Sequence, residues 1–233
     1  MKLVKKIASE NHLGRIVLTS NFNLNPYLLY SSSVNAGILN VFNTHTLQEQ
    51  TKIFCHNAPV LKIAMNFNGS LAATSSTYGT MIRVYSIPDG QRLYTFTRGL
   101  KMTTQYYLNF SRTDLFLLST SETGTIHCFN LEEAEQKTKK DGEVKLATPS
   151  GWFNFFIPKQ CDDYLHSLKS SLLVNHANLA QKYNICAVNL QNTHMYAFNS
   201  EGEFLLFDID LAHSQLKFVS KKHIDDPLQH QQP

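Results

Sequence analysis

Arg98 is the side chain of this sequence best suited to grip an anion, and its surroundings suit a phosphate. It stands in Phe96-Thr97-Arg98-Gly99, where a short apolar run gives way to a glycine, so it falls at the rim between two sheet units. A guanidinium holds a phosphate through paired N–H donors, which a lysine ammonium does not match. Further along, Ser121, Thr125 and His127 surround Gly124. Hydroxyls and an imidazole near one arginine complete a small phosphate pocket. Ser119 and Thr120 are adjacent candidates, although strand alternation sends Thr120 to the opposite face. The same residues also admit a structural role, because serine and threonine satisfy local backbone groups in turns. Their joint spacing with Arg98-Gly99 favours binding.

Other chemistries lack their motifs. The ten histidines include no i, i+4 pair of the zinc-helix kind, and no Gly-x-Ser-x-Gly elbow occurs. Neither a Walker-type phosphate loop nor a dinucleotide glycine fingerprint is present, so no catalytic residue, cofactor or metal is expected. The formal charge of +3 permits anionic partners but falls short of the dense basic patch of a nucleic-acid binder. Cys55, Cys128, Cys161 and Cys186 are scattered, with none of the close spacings of zinc or redox motifs. Three of them sit in apolar runs, as small buried thiols do, which fits a reducing, cytosolic compartment. No apolar run has the roughly 18 residues of a membrane span, so any membrane contact is expected to be peripheral. Met1-Lys2-Leu3-Val4-Lys5-Lys6 lacks the apolar core of a signal peptide.

The elements that position these residues read as all-β. Short runs such as Tyr27-Leu28-Leu29-Tyr30 and Val60-Leu61-Lys62-Ile63-Ala64-Met65 are bounded by turn residues. An internal repeat sharpens the reading. Glycines 37, 79, 124 and 202 each open a run ending in an apolar–aromatic pair: Val41-Phe42, Val84-Tyr85, Cys128-Phe129 and Leu206-Phe207. The first two spacings, 42 and 45 residues, match one four-stranded β-propeller blade, and the third, 78, equals a blade plus an insertion. Four blades are expected, at about 13–55, 56–98, 102–182 and 183–223, followed by a polar tail at 224–233. The insertion spans about 131–170, with a charged run from Glu132 to Glu143 and then the aromatic cluster Trp152, Phe153, Phe155, Phe156 and Ile157.

Phe96-Thr97-Arg98-Gly99, the preceding Ala72-to-Tyr85 segment and the following Ser119-to-Phe129 segment together resemble the signature of the PROPPINs, the phosphoinositide-binding β-propellers of autophagy. That family carries Phe-Arg-Arg-Gly, each arginine serving a different lipid site. The resemblance implies that Arg98, Ser121, Thr125 and His127 form the second headgroup site. The first would comprise His56, Ser76, Thr80, Arg83 and Thr97, impaired because Thr97 stands where the family has arginine. It implies as ligands phosphatidylinositol 3-phosphate and phosphatidylinositol 3,5-bisphosphate. Autophagy proteins are the implied partners, and the implied places are autophagic (preautophagosomal), endosomal and vacuolar or lysosomal membranes. The family has seven blades, so this chain is expected to be the last four. In the family a long loop of the sixth blade enters the bilayer. Here Trp152, Phe153, Phe155 and Phe156 would be that anchor, or would pack against the propeller or a partner. The alternative function is a protein-interaction scaffold with degraded lipid binding.

Overall fold

The computed structural model describes residues 11, 14–21, 23–31, 36–144 and 167–226, with the backbone alone for 139–144. These form four antiparallel four-stranded sheets and one helix. The first sheet holds β1 (Ile16–Leu18), β2 (Tyr27–Ser31), β3 (Ile38–Asn43) and β4 (Gln48–Phe54). The second holds β5 (Val60–Met65), β6 (Leu71–Ser76), β7 (Met81–Ser86) and β8 (Arg92–Thr97). The third holds β9 (Gln105–Phe110), β10 (Phe116–Ser121), β11 (Thr123–Asn130) and β12 (Leu172–Ala180), with α1 (Leu131–Val144) between its last two strands. The fourth holds β13 (Asn184–Val188), β14 (His194–Asn199), β15 (Glu203–Asp210) and β16 (Gln215–His223). Within every sheet the strands lie in chain order.

The sheets stack because each has two apolar faces, and the core is three seams between successive sheets. Leu29, Leu39, Val41 and Ile53 meet Val60, Met65, Ala72 and Tyr85 in the first seam. Ala73, Ile82, Val84 and Phe96 meet Leu108, Leu117 and Phe129 in the second, where the Phe96 and Phe129 rings lie 4.6 Å apart. Phe116, Leu118, Ile126 and Cys128 meet Cys186, Met195, Leu205 and Phe207 in the third. Alternation thus sends Leu117 to one seam and Phe116 and Leu118 to the next, which is why all six residues of β10 are buried. The first strands line one axis, β5 packing beside β1 and β9, and β13 beside β9. The fourth strands lie outside, and most of β4 and β16 is exposed.

The glycine repeat has a steric cause. Gly79 has φ +64°, and a Cβ there would lie 2.1 Å from the Thr103 carbonyl oxygen of the chain leaving the same sheet. Gly37 stands likewise against the His56 carbonyl, at φ +78°. The turn between the second and third strands must pass under the segment that follows the fourth, and only glycine leaves room.

The charged run after β11 forms a helix. Asn130 caps it, its Oδ1 accepting the amides of Glu132 (3.0 Å) and Glu133 (3.2 Å), and acidic side chains at the N-terminus suit the helix dipole. Among the described side chains of the helix, Leu131 and Ala134 dip into the second seam. The aromatic cluster from Trp152 to Ile157 lies outside the described residues. No helix among the described residues is long and apolar enough to cross a membrane.

Candidate functional site

Arg98 leaves the end of β8, and backbone carbonyls fix its guanidinium. Nε donates to Gly79 O at 2.7 Å and Nη2 to Lys101 O at 2.6 Å. Its own amide donates to Thr80 O at 2.8 Å, so the glycine turn of the second sheet holds both ends of the residue. Arg98 is 8% exposed and His127 4%. The two lie close enough to interact: burial, and then the neighbouring Arg98 charge, push the His127 pKa down to about 4. His127 is therefore neutral at physiological pH. Its Nδ1 meets Ser170 Oγ at 3.4 Å, and its ring stacks on Phe129.

The hydroxyls form a ladder along the β10–β11 turn. Ser121 Oγ lies 3.0 Å from Thr123 Oγ1, which lies 3.2 Å from Thr125 Oγ1. Ser121 is fully buried and Thr125 partly exposed, so the ladder runs from core to surface. Gln105, opposite Ser121 on β9, donates from Nε2 to Ser119 Oγ at 3.2 Å. Its Oε1 is buried with no hydrogen-bond partner. A buried, unsatisfied amide oxygen beside a polar ladder marks a place where a donor is wanted. Thr120 turns the other way and donates to Asn184 O in the fourth sheet at 2.8 Å. Sequence reasoning missed Gln105, Thr123 and Ser170; polar type and nearness to Ser121 and Gly124 could have flagged Thr123, whereas Gln105 and Ser170 reach the site only through the fold.

The other five candidates are not gathered in one place. Buried His56 and partly buried Arg83 form a pair at the first seam. Arg83 Nη1 donates to Cys55 O (2.6 Å) and to His56 Nδ1 (2.7 Å), and the opposite ring nitrogen, Nε2, meets Thr74 Oγ1 at 3.0 Å. That geometry puts the imidazole proton on Nε2. Burial, and then Arg83, push the His56 pKa down to about 3. Ser76 O accepts the Gly79 amide, so Ser76 and Thr80 build the turn that holds Arg98. Thr97 lies at the outer edge of the second sheet, opposite Met81 and on the face shared with Arg83. Its hydroxyl is hydrogen-bonded to Ser167, and its amide donates to Leu168 O at 2.8 Å. Leu168 returns its own amide to Thr95 O at 2.9 Å and pairs in parallel with Phe96. The chain returning from the insertion thus adds a short fifth rung to the second sheet.

Four chain-ordered, four-stranded meanders around one axis, with polar clusters at the seams, define a β-propeller. The sequence profile of the PROPPIN family matches residues 1–223, and the chain belongs to that family. It is 30% identical over 239 residues to WD repeat domain phosphoinositide-interacting protein 1 of Xenopus laevis, covering 96% of this chain and 53% of that protein. It is 34% identical over 187 residues to WD repeat domain phosphoinositide-interacting protein 2 of Gallus gallus, covering 76% and 41%. Autophagy-related protein 18 of Caenorhabditis elegans matches at 28% over 239 residues, covering 96% and 57%. The chain spans about half the length of the curated relatives it matches. Among solved structures, Kluyveromyces lactis Hsv2 superposes with a TM-score of 0.64 at 21% identity, covering 91% of this chain and 62% of that one. A complex of KlAtg21 with the coiled coil of AgAtg16 gives 0.66 at 18%, covering 91% and 58%. At that identity the likeness is one of fold.

Proposed function

We propose that this chain is a peripheral membrane effector that binds phosphatidylinositol 3-phosphate and phosphatidylinositol 3,5-bisphosphate and works in autophagy and in endosomal and vacuolar trafficking. It catalyses no reaction; it captures a headgroup and recruits autophagy proteins to autophagic, endosomal and vacuolar or lysosomal membranes. The observation that carries this reading is the Arg98 guanidinium, fixed by two carbonyls beside neutral His127, at the arginine the chain retains from the family motif. Ser121 and Thr125 supply hydroxyls to the same phosphate. The names of relatives called phosphoinositide-interacting and autophagy-related support it.

One site is competent and the other impaired. Thr97 offers no charge, and its hydroxyl is engaged by Ser167. Loss of a charge-assisted arginine–phosphate bond costs about 1.5–3 kcal/mol, roughly ten- to hundredfold in that site's affinity. Two sites on one surface multiply, so avidity falls with the first. The engaged Thr97 favours one competing reading, a protein-interaction scaffold whose lipid binding has decayed.

Liposome flotation separates the two. Vesicles with phosphatidylinositol 3-phosphate should float the protein, vesicles with phosphatidylinositol should not, and Arg98→Thr should abolish the difference while the protein stays folded by circular dichroism. Failure of the folded protein to float with any lipid would establish the scaffold reading.

A further inference from the structure

The innermost strands gather a second cationic group that the rim site does not use. Arg15, just before β1, donates from Nη1 to the Val60 carbonyl at the start of β5. Burial lowers the pKa of Lys62 of β5, and the nearby Arg15 charge lowers it further. Lys62 Nζ lies 5.7 Å from the centroid of the Tyr183 ring, just before β13. Tyr183 in turn packs on Tyr106 of β9, with ring centroids 5.3 Å apart. Four residues from the beginnings of four successive innermost strands therefore meet at one mouth of the axis. Among the described residues no carboxylate is paired with Arg15 or Lys62, although surface lysines elsewhere have such partners, as Lys217 has in Asp210 and Lys221 in Glu203.

Two like charges near each other in a partly buried place repel more strongly than they would in water. The arrangement gains when an anion enters between them. The rings decide what kind of anion. Tyr183 is 51% exposed, whereas Lys62 is partly buried behind it, so an incoming group meets an aromatic wall before it meets the charge. An extended peptide can lay its backbone on such a wall and send a carboxylate past it. A flat headgroup plane meets the rim, where Arg98 leaves an outer strand.

We propose that the axial mouth bounded by Arg15, Lys62, Tyr106 and Tyr183 is an interaction site for an acidic peptide segment, its carboxylates held between the two cations. The probe is a hexaglutamate peptide, titrated calorimetrically at low salt into the whole chain. Lys62→Glu should weaken binding at least tenfold, Lys62→Gln several-fold, and Arg98→Thr by less than twofold. Lys62→Gln removes a repulsion and should leave the melting temperature unchanged or raise it. Absence of peptide binding by the folded chain would overturn the proposal, as would binding that neither Lys62 substitution weakens. A melting temperature lowered by several degrees in Lys62→Gln would assign the lysine to the fold and also overturn it. So would Lys62-dependent binding of inorganic phosphate or phosphatidylserine vesicles in place of the peptide.

Discussion

Acid should unfold this protein earlier than its carboxylates require, because two imidazoles are buried neutral beside arginines. His56 titrates at about 3 and His127 at about 4 in the folded chain, against about 6.5 when unfolded. The folded values are the lower ones, so the unfolded state binds protons first as pH falls. The stability tied to each residue is whole above about pH 6.5 and is lost progressively as pH falls towards 4 and 3. Between pH 7.5 and 5.5 each histidine should cost about 1.4 kcal/mol, and the pair about 2.7 kcal/mol. Glu203, held at about 2 by Lys221, Asn199 and Lys182, remains ionised throughout that window. The assay is urea unfolding at the two pH values with a common slope, on the natural chain, His56→Gln and His127→Gln. Each substitution should remove about half of the pH dependence. A loss below about 1 kcal/mol in the natural chain, or an unchanged pH dependence in both variants, would refute the buried-neutral assignment.

Gly79→Ala should cost at least about 2 kcal/mol, from the left-handed backbone and the collision with Thr103 O, and should also weaken vesicle flotation because Gly79 O holds Arg98. Gly99→Ala is its control: nothing lies within 4 Å of the added methyl, and thermal melting should not change. Thr97→Arg restores the first arginine of the family's motif and should raise affinity for phosphatidylinositol 3-phosphate vesicles by up to about tenfold in co-sedimentation. No gain would mean that the Ser167–Leu168 segment closes that position to lipid.

The parts of the fold that were legible are those imposed by sterics within one sheet. The four repeat glycines all have positive φ, because the same turn passes under the same exit segment each time, and a backbone demand of that kind leaves its residue in the sequence. The apolar runs were equally legible: Tyr27-Leu28-Leu29-Tyr30 falls in β2 and Val60-Leu61-Lys62-Ile63-Ala64-Met65 is β5. Helix α1 was not: its sequence is mostly charged and polar, too little apolar for a periodicity, and its cap is a single asparagine. The position of Arg98 could be read, but its partners are the carbonyls of Gly79 and Lys101, and carbonyls belong to every residue. The Thr97–Ser167 contact joins residues far apart in the chain through one hydroxyl each, and nothing in either residue type announces it.

That contact bears on how a rim site and an insertion work together. Residues 97 and 98 are neighbours in sequence, yet they leave β8 on different errands. Thr97 shares the face of Arg83 and is tied to Ser167; Arg98 turns to the glycine loop and to His127. Ser170, three residues beyond Ser167, reaches His127, and Ser171 donates to Glu133 of α1 at 3.0 Å while accepting the Asn130 amide at 3.2 Å. Both roots of the insertion are therefore clasped to each other and to the seam that carries Arg98 and His127. In this arrangement a pull on the insertion reaches His127 and β8 through a few hydrogen bonds, without crossing a sheet. On the proposed reading, headgroup capture at Arg98 and any contact made through the insertion would act on the same corner of the fold.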